Sequence, residues 1–549
     1  MQAIAALGFG PRGSAGLGCG PTEGRDGPFC ANRVPATRRG VDLFSLLRDT
    51  AARDPGRTAL IDGAHTASYA EAHAAAERLA AALAQRGVGP GDRVACLAHN
   101  SADCFFAYFA AARLGAILVP LNTRLLPEEL QPVLRHAEAR LLVADDAHGA
   151  LATALAPALP GGIASFAELR TANAEVPSPP PIDAATVAQL YYTSGTTGQP
   201  KGVMLTHGNV GRHARAAARE LSLAGTDRWA HIAPMFHLAD AWAVFAVTLV
   251  GGVHVFLPRF TAPAALDLLA DQAITITNLV PTMLNLMVKE PDAGRRRFAL
   301  RTMLSGGAPI APAIVRQILA TFGCDYVQTY GMTETSPYLT LSLLTDELRR
   351  LPPHEQLHWK CKTGRPFLGV ELKVVAGDGT AVAADDRAVG EIRVRGATVT
   401  PGYWRDAAAT RAAFDDDGFL RTGDLATIDA HGYVNIVDRI KDVIKTGGEA
   451  VYSTEVENVL YQHPAVLECA VFGTPDPVWG EAVTAAIVLR PGAHVTAAAI
   501  VAHCKDRIAG FKAPRIVDFR AALPKTGSGK IQKRLLRDTA APRNPHATE

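Results

Sequence analysis

A chain of 549 residues has room for two to four domains. Its 48% hydrophobic and 20% charged residues suit large buried cores, and a net charge of +2 gives no electrostatic case for nucleic acid or an anionic membrane. Eight cysteines without a C-x-x-C pair read as reduced thiols, which favours a cytoplasmic protein over a disulfide scaffold.

Residues 1–40 are rich in Gly, Pro and Arg and show no apolar periodicity, so they read as a disordered tail. A transit segment or a mis-assigned start stays open there, while an apolar stretch of secretory length is missing. From Val41 the pattern becomes α/β. Ser68-Tyr69-Ala70-Glu71 is a capping box opening an alanine-rich helix that stops at Gly87. Arg93–Leu97 reads as a buried strand, Ser101–Leu114 as a helix ended by Gly115, and Ala116–Val119 as a strand. Strand–helix–strand alternation with short loops predicts parallel sheet covered by helices. The Pro-rich run Val176–Pro181 reads as a surface connection.

Ala241–Leu257 is the longest apolar stretch, too short for a spanning helix and interrupted by Gly251, Gly252 and His254. It predicts a buried helix, a glycine turn and a buried strand, and no transmembrane segment. Near Lys441 the texture changes. A helix from Thr454, with Glu457 completing a second capping box, precedes strands at Ala470–Phe472 and Thr484–Leu489 and a helix at Ala497–Ala509. These divisions predict a large domain at 41–438, a hinge at Lys441, a small domain at 442–540 and a tail at 541–549.

The most informative segment is Tyr192-Thr193-Ser194-Gly195-Thr196-Thr197-Gly198-Gln199-Pro200-Lys201-Gly202, which follows the strand-like Val187–Tyr191. Glycines let successive backbone N–H groups approach one anion, hydroxyls add neutral donors, and Lys201 adds a point charge. The spacing is not that of a Walker loop. A flexible linker is the bland alternative, but linkers seldom follow a strand or end in Pro-Lys-Gly.

This segment resembles the phosphate loop of AMP-forming adenylating enzymes, a superfamily of acyl-CoA synthetases, peptide-synthetase adenylation domains and luciferases. Further motifs of that family recur in order to Lys530. The resemblance implies a large N-terminal domain of α/β subdomains with packed sheets and a small mobile α+β C-terminal domain. It implies ATP, Mg²⁺ and CoA as cofactor and cosubstrates. Thr193, Ser194, Gly195, Thr196, Thr197, Gly198 and Lys201 would cover the β/γ phosphates. In Tyr330-Gly331-Met332-Thr333-Glu334-Thr335 the tyrosine would lie against adenine, Thr335 would bond the α-phosphate and Glu334 would help hold Mg²⁺. Gly306-Gly307-Ala308-Pro309 resembles the adenine-side loop. Asp424 would take the ribose hydroxyls with Arg439 as partner, and Ile436 joins the cofactor-binding set.

The resemblance also separates two lysines. Lys530, in Pro524–Lys530, would bridge the attacking carboxylate and the α-phosphate. Rotation about Lys441 would withdraw it and present Lys445, Gly447 and Gly448 for thioester formation. His237 aligns with a position bordering the acyl pocket, where adenylating domains for amino acids keep an amine-binding aspartate nearby. That argues against an amino acid, although Asp240 keeps the point open. Pocket walls are expected from Phe236–Phe245, Gly306, Gly331 and Ser336–Thr340, with Trp242, Phe245 and Tyr338 as the aromatics. No His/Cys cluster has zinc-ligand spacing.

Together these readings predict ATP-dependent activation of a small carboxylic acid, medium-chain fatty or aryl, and its transfer to CoA. An acyl carrier protein as acceptor, luciferase-like oxidation of the adenylate and a non-catalytic nucleotide-binding relative are the alternatives. Oligomeric state is not written in the sequence.

Overall fold

A computed structural model describes residues 42–172, 175–194, 200–308, 310, 312–525 and 531–540. The expected tails, Gly195–Gln199, Pro309 and Thr526–Lys530 lie outside the described residues.

Four sheets organise the described residues. A nine-stranded sheet has a parallel centre formed by Thr58–Asp62, Val253–Phe256, Arg228–His231, Ile276–Leu279, Thr302–Gly306 and Asp325–Gly331. Antiparallel strands close both its edges. A six-stranded sheet carries Ile163–Ser165, Ala139–Ala144, Arg93–Leu97, Ile117–Pro120 and Val187–Ser194 in parallel, with Pro200–Thr206 returning antiparallel.

Strand alternation explains why both sheets are covered twice. Trp229, Leu304 and Val327 join one large core with Val94, Leu141 and Tyr191 of the other sheet. Their neighbours Ala230, Met303 and Tyr326 enter a second core, while Ala95, Leu97 and Leu142 enter a third. Helices Leu43–Arg53, Ala102–Leu114, His207–Glu220 and Leu238–Val250 contribute buried residues to the shared core. Ten of the thirteen residues of Leu238–Val250 are buried, and a helix sunk in a core is apolar on all sides. That is the origin of the long apolar stretch in the sequence. Gly251 ends this helix at φ 75° and Val253–Phe256 follows as the buried strand. Among the described residues no helix is long and apolar enough to cross a membrane.

The capping box at Ser68 and Glu71 forms, as does the helix stop at Gly115. A four-stranded antiparallel sheet follows, Val370–Val375, Gly390–Gly396, Leu420–Ile428 and Val434–Arg439. The last sheet pairs Glu449–Val451, Ile444–Thr446, Gly480–Leu489 and Val466–Asp476, with Ile516–Phe519 along Gly480–Leu489.

Two local expectations change. The helix after Val451 spans Ser453–Leu460 without a capping box. Glu457 instead accepts the Val471 N–H at 2.8 Å and meets Lys533 Nζ at 2.8 Å, so its carboxylate is committed elsewhere. The helix expected to reach Ala509 stops at Lys505, where Arg507 and Ile508 both turn back to the Cys504 carbonyl.

Candidate active site

Val187–Ser194 and Pro200–Thr206 form an antiparallel hairpin with Thr193 opposite Lys201 and Ser194 opposite Pro200. The residues on either side of Gly195–Gln199 are therefore held in register by paired strands. A second segment, Thr398–Trp404, is stapled to these strands. Trp404 N–H donates to the Gly202 carbonyl at 2.7 Å, and Met204 N–H donates to the Gly402 carbonyl at 3.1 Å. The Asn209 amide holds the same segment through the carbonyls of Ala397 and Val399, each at 2.9 Å.

That segment also clasps the turn at Thr333–Thr335. Thr400 N–H donates to the Glu334 carbonyl at 2.7 Å, and the Ser336 hydroxyl donates to the Thr398 carbonyl at 2.7 Å. Gly331 is needed for the close approach. A Cβ there would sit 1.9 Å from the Pro337 carbonyl oxygen. At Gly306 a Cβ would sit 2.2 Å from Thr329 Oγ1, and Gly307 has φ 88°. The Ala308 carbonyl accepts from Gln328 Nε2 at 3.3 Å.

Two hydrogen-bonded groups stand out. The Tyr330 hydroxyl donates to Asp424 Oδ2 at 2.6 Å, and Arg439 Nε donates to Oδ1 at 3.0 Å. Asp424 and Arg439 are paired residues on adjacent strands, which fixes the register of this triad. Nearby Gly423 bends the strand at φ 71°. The second group joins Lys201, Tyr403 and Glu334. The Tyr403 hydroxyl donates to Glu334 Oε1 at 2.9 Å, and Lys201 Nζ lies 5.1 Å from the Tyr403 ring centroid. Burial pushes the Glu334 carboxyl above its ordinary range, against the hydrogen bond from Tyr403 and the charge of Arg439. A buried carboxylate in this state fits a divalent cation, whose charge offsets the desolvation. A hollow of about 230 Å³ adjoins Lys201, Gly202, Tyr403, Trp404, Asp406 and His136.

The expected residues are therefore partly assembled. Tyr330, Asp424 and Arg439 meet directly, as do Lys201 and Glu334 through Tyr403. The Thr335 hydroxyl is turned to the carbonyls of Met332, at 3.0 Å, and Pro337. Met332 and Thr333 lead into that turn, and Ile436 N–H donates to Thr363 Oγ1 at 3.0 Å on the same strand as Arg439. Lys445 lies on a separate hairpin whose turn is Gly447-Gly448, at φ 61° and 85°. Its backbone N–H donates to Glu481 Oε2 at 2.6 Å, and Gly447 sits so close to Trp479 that a Cβ would meet the ring at 2.8 Å. The hinge candidate Lys441 is flanked by Asp438, which accepts from Ser453 Oγ at 2.8 Å, and by Asp442, which pairs with Arg537 at 2.5 Å.

His237 caps helix Leu238–Val250, its Nδ1 accepting the Ala239 N–H at 3.1 Å. Asp240 is not open to an amine. Its two oxygens take Trp229 Nε1 at 3.2 Å and His231 Nδ1 at 2.6 Å, and the chain continues through His254 to Thr248. Every member of that chain is fully buried. Among the expected pocket aromatics, Trp242 and Tyr338 cluster with His213 and Phe367. Phe245 meets Phe109 and Tyr108, and Trp242, Tyr338 and Phe245 all lie within the shared core. Sequence reasoning missed Tyr403, whose signal was an aromatic pair directly after Pro401-Gly402.

A family described as AMP-binding enzyme matches residues 47–404, and its C-terminal domain matches 455–530. A feruloyl-CoA synthase of Amycolatopsis sp. is 38% identical over 488 residues, covering 87% of this chain and 95% of its own. A long-chain-fatty-acid–CoA ligase of Thermus thermophilus is 36% identical over 536 residues, covering 92% and 97%. The o-succinylbenzoate–CoA synthetase of Bacillus subtilis, solved with ATP and a magnesium ion, superposes with a TM-score of 0.80 at 32% identity, covering 90% and 98%.

Proposed function

The chain belongs to the AMP-binding enzyme family, and from that premise we propose that it joins a medium-chain fatty or aryl acid to CoA. It is an AMP-forming acid–CoA ligase that uses ATP, Mg²⁺ and CoA. The observation that carries the residue assignment is the pair of networks around Asp424 and Glu334. The Tyr330–Asp424–Arg439 triad offers a buried carboxylate, held at both oxygens, to the hydroxyls of a ribose.

A carboxylate oxygen of the acid attacks the α-phosphorus, and pyrophosphate leaves with the electrons of the broken P–O bond. The CoA thiolate then attacks the acyl carbonyl and AMP departs, carrying one former carboxylate oxygen. Bound Mg²⁺ supplies charge neutralisation at the phosphates, and Glu334 is the residue that would hold it. Lys201 and the glycine- and threonine-rich segment before it would orient the triphosphate. Lys530 serves the first step, Lys445 with Gly447 and Gly448 the second, and Lys441 is the pivot between them.

Similarity to a feruloyl-CoA synthase and a long-chain-fatty-acid–CoA ligase supports an acid with an apolar or aromatic body. Asp240, spent on His231 and Trp229, disfavours an amino acid. The test is a panel of fatty, aryl, dicarboxylic and amino acids with Mg-ATP and CoA, following pyrophosphate and thioester separately. Thioester from fatty or aryl acids is expected. Thioester confined to dicarboxylic or amino acids would overturn the acid assignment, and pyrophosphate without thioester would move the acceptor to a carrier protein.

A further inference from the structure

We propose that His99, Asp145 and His148 form a site for a borderline divalent transition metal such as Zn²⁺, separate from the Glu334 region. No spacing motif announces it, because His99 stands far from the Asp145–His148 pair in sequence. The fold joins them. Strands Arg93–Leu97 and Ala139–Ala144 are parallel neighbours, with Leu97 opposite Ala144. Each delivers a ligand-type side chain just past its carboxyl end, where open α/β sheets present their binding groups. The short turn Asp146–His148 then brings the second imidazole back.

The Asp145 carboxylate organises the cluster. Its Oδ2 accepts the His99 N–H at 2.9 Å and its Oδ1 accepts the His148 N–H at 3.0 Å. His148 Nδ1 lies 2.5 Å from Oδ1, and His99 Nδ1 lies 3.3 Å from Oδ2. The ring centroids are 4.5 Å apart, and one donor atom from each residue falls within 4.8 Å of the others. Two imidazoles and one carboxylate suit Zn²⁺, Co²⁺ or Ni²⁺ and are a poor set for Mg²⁺ or Ca²⁺, which ask for oxygen ligands. The side chains are 10–20% exposed, so water has access to complete the coordination.

Arg259 is the competitor. Its Nε donates to His99 Nε2 at 3.2 Å, which keeps the His99 proton on Nδ1, facing Asp145. Metal binding through Nδ1 moves that proton to Nε2 and turns Arg259 away, with no net proton released from a neutral ring. The residue after His99 also holds the segment before His237. Next to His99, the Asn100 amide donates to the carbonyls of His231 and Ala233 and accepts the Met235 N–H.

The test uses the full-length protein, stripped of metal and free of nucleotide, titrated with Zn²⁺ by calorimetry and with Co²⁺ by visible absorption. One site per chain is expected. H99A and H148A should weaken it at least about 100-fold, and R259A, which keeps all three ligands, should tighten it several-fold. Zinc binding unchanged in H99A and H148A, or no binding by the wild type, would overturn the proposal and leave a hydrogen-bonded knot alone.

Discussion

Tyr403→Phe separates the two tasks of one side chain. The substitution removes the hydroxyl that donates to Glu334 Oε1 at 2.9 Å, yet keeps the ring beneath Lys201. A hydrogen bond to a charged group is worth roughly 1.5–3 kcal/mol, which corresponds to about one to two pKa units. Burial already holds the Glu334 carboxyl high, and the hydroxyl opposes that shift. Losing it pushes the carboxyl higher still, so a smaller fraction is ionised at any given acidic or neutral pH. Pyrophosphate release should fall by about 10- to 100-fold at the acid end of the profile and recover as pH rises. Saturation by Mg²⁺ should require higher concentrations. Tyr403→Leu should lose more, because the ring under Lys201 goes too. Initial rates across pH and Mg²⁺ concentration for both variants measure this. An acid limb and a Mg²⁺ dependence identical to wild type in Tyr403→Phe would refute the role given to the hydroxyl.

Gly331→Ala forces a Cβ to within 1.9 Å of a backbone oxygen, so the turn must move; a loss of about 3 kcal/mol in unfolding free energy is expected, readable by urea denaturation. Burial holds the His213 imidazole down at about 3, so below pH 6.5 the unfolded chain binds a proton that the folded one does not. Stability should therefore fall by about 1.4 kcal/mol per pH unit on this account between pH 6.5 and 3, and His213→Phe should remove that part of the slope. Lys530→Ala should abolish adenylate formation while sparing thioester formation from supplied acyl-adenylate, and Lys445→Ala should do the reverse. Loss of the same half-reaction in both variants would break the two-conformation assignment.

Local signals were legible wherever the responsible interaction is local. The capping box at Ser68 and the stop at Gly115 depend on neighbours a few residues away, and both formed. Ala241–Leu257 could be divided correctly because glycine interrupts it and its length falls short of a bilayer. Glu457 failed the same reasoning, since a long-range partner, Lys533, outbid the helix terminus. The site motifs named the polar residues but not their partners. That Tyr403 would reach Glu334, or that Asp240 would be committed to His231, depends on which strands become neighbours. Strand order is set by the burial of whole faces, and a single sequence carries no direct mark of it. The meeting of His99 with Asp145 and His148 was hidden for the same reason.

The central claim is attack of the acid on the α-phosphorus of ATP, and oxygen transfer reports it directly. The protein would be incubated with Mg-ATP, CoA and an accepted acid carrying ¹⁸O in both carboxylate positions, and the products weighed by mass spectrometry. The account predicts one ¹⁸O in AMP and none in pyrophosphate. Label in orthophosphate, with ADP as the nucleotide product, would contradict it.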